Sequence, residues 1–175
     1  MCGIAGYVGP RLIEDALADA CATLMHRRGP DARGQSRHVT PDGRNVLLLH
    51  SRLAILDLDP RSNQPYNVGT GELVFNGEIY NYRELAATLE NDGHRLRSTG
   101  DTEVLALLLA AEGSAALERC EGMWALAWYS PQDGSLLLAR DRFGEKPLLV
   151  HRAIDGGVYF ASEATFLAAL LGRPL

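Results

Sequence analysis

Met1-Cys2-Gly3-Ile4-Ala5-Gly6 sets a cysteine directly behind a methionine and ahead of a short apolar run broken by glycines. Methionine is readily clipped from in front of a residue as small as cysteine. Clipping would leave Cys2 with a free α-amine and a thiol. Unperturbed, these titrate at about 7.7–8.0 and about 8.5, so one residue could supply both base and nucleophile at neutral pH. Gly3 and Gly6 keep the backbone bare enough for a ligand to lie against it. The plain alternative is an ordinary strand whose second residue happens to be cysteine, and this stretch alone does not separate the two.

Working outward, Gly3 to Val8 reads as a short buried strand stopped by Gly9-Pro10. Arg11 to Met25 places Leu12, Ala16, Leu17, Ala20, Cys21 and Leu24 at helical spacing, with Cys21 as a small core residue. Strands are expected near Gly34 to Val39 and Asn45 to His50, across a turn at Pro41-Asp42-Gly43. Another runs from Glu72 to Phe75. Asn81 with Glu84 three residues on has the form of a capping box, opening a helix that stops at Gly93. A second helix follows Thr99-Gly100-Asp101-Thr102 and carries Val104 to Ala111. Met123 to Tyr129 and Ser135 to Ala139 read as strands about the turn Pro131-Gln132-Asp133-Gly134. Further strands lie near Leu148 to His151 and Val158 to Ala161, and a last short helix begins near Glu163. Strands in runs and helices in pairs favour an α+β layered sandwich, mostly antiparallel, over a doubly wound sheet.

The totals exclude several classes. A chain of 175 residues with 46% apolar and 22% charged residues suits one soluble domain with a real core. Net charge is −5 and no Lys/Arg run exceeds two residues, which argues against nucleic acid or an anionic membrane as partner. Cys2, Cys21 and Cys120 are too scattered for a disulfide framework, so a reducing cytoplasm is the expected location. Glu14 and Asp15 interrupt any signal-like core, and no apolar run approaches membrane length. The five histidines show no ligand spacing and no phosphate-binding glycine loop occurs, so neither metal nor cofactor is expected in this chain.

A thiol attacking an amide carbonyl needs donors for the oxyanion and groups that grip the ends of the substrate. Asn76-Gly77 could give a side-chain amide and a backbone N–H facing one point. It is also the commonest type I′ hairpin dipeptide, which local sequence favours. Arg52, next to His50-Ser51 and followed by apolar residues, could clamp a carboxylate or lie as a surface arginine on its neighbours. Asp101 could hold an ammonium or cap its helix, and Glu78 could meet a ligand or pair with an arginine. The run Asp141-Arg142-Phe143-Gly144-Glu145-Lys146-Pro147 reads as a charged turn, structural or a contact surface.

Taken together these stretches resemble a family. Met-Cys-Gly-Ile-Ala-Gly is similar to the start of class II, N-terminal nucleophile (Ntn) glutamine amidotransferases. Arg28-Gly29-Pro30-Asp31, His50 to Ile55, Asn76-Gly77-Glu78-Ile79-Tyr80-Asn81, Gly100 to Glu103, Ala139 to Leu148 and Phe160-Ala161-Ser162-Glu163 resemble the glutaminase domain of the asparagine synthetase branch. The likeness runs in order along residues 1–175.

The resemblance implies a four-layer αββα fold and hydrolysis of L-glutamine by Cys2 through a glutamyl thioester. It implies that Asn76 and Gly77 form the oxyanion hole, that Arg52 binds the α-carboxylate, that Asp101 binds the α-ammonium and that Glu78 lines the site. The backbone of Leu53, Ala54, Ile55 and Leu56 would complete it. The family continues into a synthetase domain with a Ser-Gly-Gly pyrophosphate loop, to which ATP and Mg would belong. No Ser-Gly-Gly occurs here, so the expectation is an excised domain or a stand-alone glutaminase that passes ammonia to a synthetase partner. A homodimer stays open. If Met1 is retained, the alternative is a glutamine-binding or partner-docking module without turnover.

Overall fold

The computed structural model describes residues 1–69 and 71–173. One sheet has the order β2-β3-β1-β9-β8, built from β1 (Gly3–Gly9), β2 (Ala32–Val39), β3 (Asn45–Arg52), β8 (Leu149–Arg152) and β9 (Val158–Ala161). The other has the order β4-β5-β6-β7, from β4 (Tyr66–Asn67), β5 (Glu72–Ile79), β6 (Gly122–Ser130) and β7 (Ser135–Arg140). Every described pairing is antiparallel. Among the described residues four α-helices complete the fold: α1 (Asp15–Met25), α2 (Tyr82–Asn91), α3 (Asp101–Glu112) and α4 (Ala164–Leu170).

Strand alternation turns these elements into layers. Ile4 and Val8, Val46 and Leu48, Val74, Ala125, Ala127, Tyr129 and Phe160 form one buried cluster drawn from both sheets, so the sheets pack face to face. The alternate residues Ala5, Tyr7, Leu47, Leu49, Tyr159 and Ala161 cluster instead with Ala18, Cys21 and Met25 of α1 and Phe166 and Leu170 of α4. Leu73, Phe75, Trp124, Leu126 and Trp128 meet Leu85 and Leu89 of α2 and Leu105 and Leu109 of α3. The result is the expected αββα sandwich, with Cys21 buried in the first helical layer.

Three local expectations differ from the structure. The first helix begins at Asp15, not Arg11, because the Ile13 carbonyl accepts from Arg37 Nη1 (2.8 Å) and the Arg11 N–H donates to Tyr7 Oη (2.9 Å). Leu12, Ala16 and Ala20 are therefore exposed, and the buried face is Ala18, Cys21 and Met25. The strand expected to stop at Phe75 runs on to Ile79, so Asn76-Gly77 is no hairpin turn. Asn81 makes no side-chain cap. It ties to another loop instead, accepting from Glu121 N (3.0 Å) and donating to Arg119 O (2.9 Å).

Candidate active site

Followed toward one end of the sandwich, the inward faces of the inner strands change character. On β3 the sequence of inward residues is Val46, Leu48, His50, Arg52; on β5 it is Val74, Asn76, Glu78; on β1 it is Val8, Gly6, Ile4 and then Cys2. All of these polar residues except Glu78 and Cys2 are more than nine-tenths buried. Arg52, Asn76, Glu78 and Cys2 meet in a cavity at the end of the two sheets whose wall also includes Leu53, Ile55, Leu56, Gly77 and Asp101.

Cys2 is held at both ends. Its carbonyl accepts from Arg28 Nε (2.9 Å), and Arg28 is itself fixed by Glu163 (2.8 Å). Its Sγ lies 3.4 Å from the Leu53 N–H and 3.7 Å from the Leu53 carbonyl. Burial pushes the thiol above its ordinary range, while the Leu53 N–H, the chain's amino terminus and Arg52 pull the other way. Gly29 permits this arrangement: a Cβ there would stand 2.4–2.5 Å from the backbone of Ser51 and Arg52. Asp31, two residues on, accepts from the Ala54 N–H (2.7 Å).

The placement of Asn76 and Gly77 follows from strand register. Tyr80 N–H donates to Glu121 O (2.7 Å), so even-numbered residues of β5 bond to β6 and odd-numbered ones point to the opposite edge. On that edge the Phe75 N–H is taken by Gln64 Oε1 (2.6 Å) and the Ile79 N–H by Asp101 Oδ2 (3.0 Å). Gly77 N–H lies between them, on the cavity side. A side chain at Gly77 would meet the Met123 carbonyl at 2.2 Å and Trp124 Cα at 2.7 Å, which explains why glycine follows asparagine inside a strand. The Asn76 Nδ2 is buried without a protein partner. Such a group costs about 1–3 kcal/mol when left unmade, so it marks a position where a ligand acceptor fits.

Both Nη groups of Arg52 bond within the chain. Its Nη1 donates to Asp59 O (3.0 Å) and Asn63 Oδ1 (2.8 Å), and its Nη2 to Leu56 O (3.3 Å) and Asp57 O. Both ends of the fork thus order the 56–63 loop that roofs the cavity, leaving Nε as the uncommitted donor. Asp57 braces the same loop. Burial raises its carboxyl, but the Thr99 N–H (2.7 Å) and Arg61 outweigh it and bring it down to about 2. Burial drives the Asp101 carboxyl up to about 6, against hydrogen bonds from Ile79 and Thr102 that pull it down and Glu78, which adds to the rise. His50 is pushed down to about 3 by burial, and its neutral ring donates from Nε2 to Phe75 O (3.2 Å), stapling the sheets beneath the cavity.

Of the residues picked from sequence, Ala54 alone is not in the cavity wall; its N–H is occupied by Asp31. Gln64, Thr102, Met123 and Lys146 line the cavity without having been singled out, and Arg28 and Asp31 brace it. Among the described residues no group of three or more His, Cys, Asp or Glu side chains is placed to hold a metal ion, and no helix is long and apolar enough to cross a membrane.

This sandwich of two antiparallel sheets between helical layers, with Cys2 at the open end of the sheets, has the Ntn amidotransferase fold. Glutamine phosphoribosylpyrophosphate amidotransferase from B. subtilis superposes with a TM-score of 0.77 at 19% identity, over 96% of this chain and 43% of that one. A Glutamine amidotransferase domain model matches residues 1–174, and the chain belongs to that family. Asparagine synthetase [glutamine-hydrolyzing] 2 of Oryza sativa subsp. japonica is 35% identical over 172 residues, covering 96% of this chain and 28% of that protein. The Bacillus subtilis protein of the same name is 35% identical over 170 residues, covering 93% of this chain and 22% of its own length. The chain thus spans only about a quarter of the curated relatives it matches.

Proposed function

We propose that this domain hydrolyses L-glutamine to glutamate and ammonia with Cys2 as nucleophile once Met1 has been removed. The observation that carries this reading is the buried Asn76 Nδ2, unpartnered in the wall of the cavity that Cys2 enters. In the reaction, Cys2 Sγ bonds to the side-chain carbonyl carbon of glutamine. The thiol proton passes to the α-amine of the same residue and from there to the leaving nitrogen. The oxyanion is met by Asn76 Nδ2 and Gly77 N–H, the C–N bond breaks, and ammonia departs. Water then attacks the thioester, releasing glutamate and restoring the thiol. The Leu53 N–H near Sγ supports the thiolate against the cost of burial. Asp101 suits the α-ammonium of the substrate, Arg52 Nε its α-carboxylate, and Glu78 with Leu53, Ile55 and Leu56 the rest of the wall.

By analogy with relatives named as glutamine-hydrolysing asparagine synthetases, the ammonia would feed an ATP-dependent amidation on a synthetase domain or subunit. ATP and Mg would bind there. The test is intact-mass measurement of the N-terminus together with glutamate release. Cys2→Ala should abolish turnover and keep the melting temperature; unchanged turnover would sink the mechanism.

Met1 favours a second reading for the unprocessed chain. Its side chain lines the same cavity, and its Sδ lies 3.2 Å from Lys146 Nζ. A chain retaining Met1 has no free Cys2 amine and would be a binding or docking module without turnover. A mass that includes methionine, with glutamine binding but no glutamate formed, would support that form.

A further inference from the structure

The charged turn Asp141 to Pro147 is the one motif that glutamine hydrolysis, as described above, leaves without a task. It is built as a bracket. The buried Asp141 carboxylate accepts four backbone N–H groups, from Trp124 (3.2 Å), Phe143 (3.1 Å), Glu145 (2.9 Å) and Lys146 (3.0 Å). The Asp141 N–H returns a bond to Trp124 O (2.8 Å), so the turn is locked to β6 beside the residues opposite Gly77. What the bracket delivers is Lys146. Only 7% exposed, it lies in the wall of the Cys2 cavity, and its Nζ meets the Met1 thioether at 3.2 Å.

A thioether is a weak acceptor and no counter-charge for an ammonium. Among the described residues Lys146 makes no ion pair. A cation has been placed beside the residue that processing removes. Met1 Sδ is three bonds from Met1 Cα, and the next peptide nitrogen is that of Cys2. Loss of Met1 therefore takes away the contact of Lys146 and creates an amine on the same side of the cavity.

We propose that Lys146 is a positioning residue for catalysis: its ammonium faces the unmasked α-amine of Cys2 and keeps that amine in the neutral form that can take the thiol proton. This rests on the N-terminal nucleophile reading above. A like charge nearby disfavours protonation, which is what a base working at neutral pH requires. The other charged groups around the amine are accounted for. Arg28 is paired with Glu163, and Arg52 has both Nη groups tied to the loop. Glu78 on β5 and Asp101 on α3 act in the opposite sense from across the cavity. Lys146 is the cation in contact with the departing residue.

The test compares wild type, Lys146→Met and Lys146→Arg, with Lys146→Gln as a second neutral variant should the methionine fail to fold. All are checked by mass for loss of Met1. Two readouts are taken: the pH profile of kcat/KM for glutamate release, and the pH dependence of acylation of the Cys2 amine by an amine-selective reagent, with the thiol first capped as a methyl disulfide. Removing the charge should move both the acid limb and the labelling midpoint upward by about one pH unit, roughly a tenfold loss on the acid side, and arginine should restore both. Midpoints that coincide with wild type overturn the proposal, whatever happens to the rate, as does a chain that keeps Met1. If Cys2→Ala still releases glutamate, the hydrolase reading fails, and the labelling midpoint still decides the role of the lysine.

Discussion

Between the sheets, the middle of the sandwich and its open end are built from the same strands and do opposite things. In the middle, Leu48, Val74, Ala125 and Phe160 exclude water and leave no polar side chain to satisfy. Two residues further along the same faces stand His50 and Asn76, each with a buried polar atom that has no protein partner. A seam that is dry along most of its length can carry unsatisfied groups at its end, because hydrophobic burial elsewhere offsets them. Stability and chemistry are thus divided along each strand. That division can be broken by substitution on either side of it.

The largest effect is expected in the seam. Phe160 is fully buried, and Phe160→Ala should cost about 3–5 kcal/mol through lost burial and a residual cavity. Denaturant unfolding would measure this, while the folded fraction keeps its kcat/KM. Asn76→Ala should behave in the opposite way. Glutamate release should fall by about 10²–10³ in kcat, as for loss of one oxyanion donor, with little change in unfolding midpoint because the amide donates no bond within the protein. A large loss of stability in Asn76→Ala, or a large loss of activity in folded Phe160→Ala, would show that the two regions are not separable.

Asp101 sharpens the comparison with pH. Its carboxyl is raised to about 6 by burial, so the folded chain holds this proton more tightly than the unfolded chain does. The contribution to stability is present below about pH 4 and is lost as pH rises through about 6. Asp101→Asn should therefore gain stability relative to wild type between those values, read from paired melts. On the proposed function, binding of glutamine should have the reverse sign, because the α-ammonium assigned to Asp101 would need the carboxylate. In the Cys2→Ala form, affinity by calorimetry should fall roughly tenfold per unit below pH 6, and Asp101→Asn should bind weakly with no such slope.

How much was legible in the sequence follows the same line. The mostly antiparallel layered sandwich was readable because strand alternation and paired helices are local signals, and the seam obeys them; the four-layer αββα order came with the family resemblance. The site was readable only through several motifs taken together. Asn76-Gly77 and Asp133-Gly134 carry similar turn signals, yet only the second turns, with Gly134 at φ 70°. What decides Asn76-Gly77 is the close approach of β6, a non-local contact. Lys146, Arg28 and Gln64 were given no role for the same reason: each acts on a residue outside its own motif, on Met1, Cys2 and Phe75 respectively. The two Nη groups of Arg52 went to loop carbonyls that no spacing rule would name.

The smallest effect tests a local rule that gave way to such a contact. Asn81 and Glu84 have the spacing of a capping box, yet the Asn81 side chain spans to residues 119 and 121, beyond α3. If capping governed stability here, Asn81→Ser would be neutral, since serine is an equally good cap, and Glu84→Ala would cost as much as Asn81→Ala. The bridge predicts otherwise. Asn81→Ala and Asn81→Ser should both cost about 1 kcal/mol, because neither can reach Arg119 O and Glu121 N together. Asn81→Asp should lose less, keeping the acceptor for Glu121, and Glu84→Ala should stay within about 0.5 kcal/mol of wild type. For a domain of this size, melting shifts of about 2–4 °C would separate the two accounts. Activity should be untouched throughout, because none of Asn81, Arg119 and Glu121 lines the cavity.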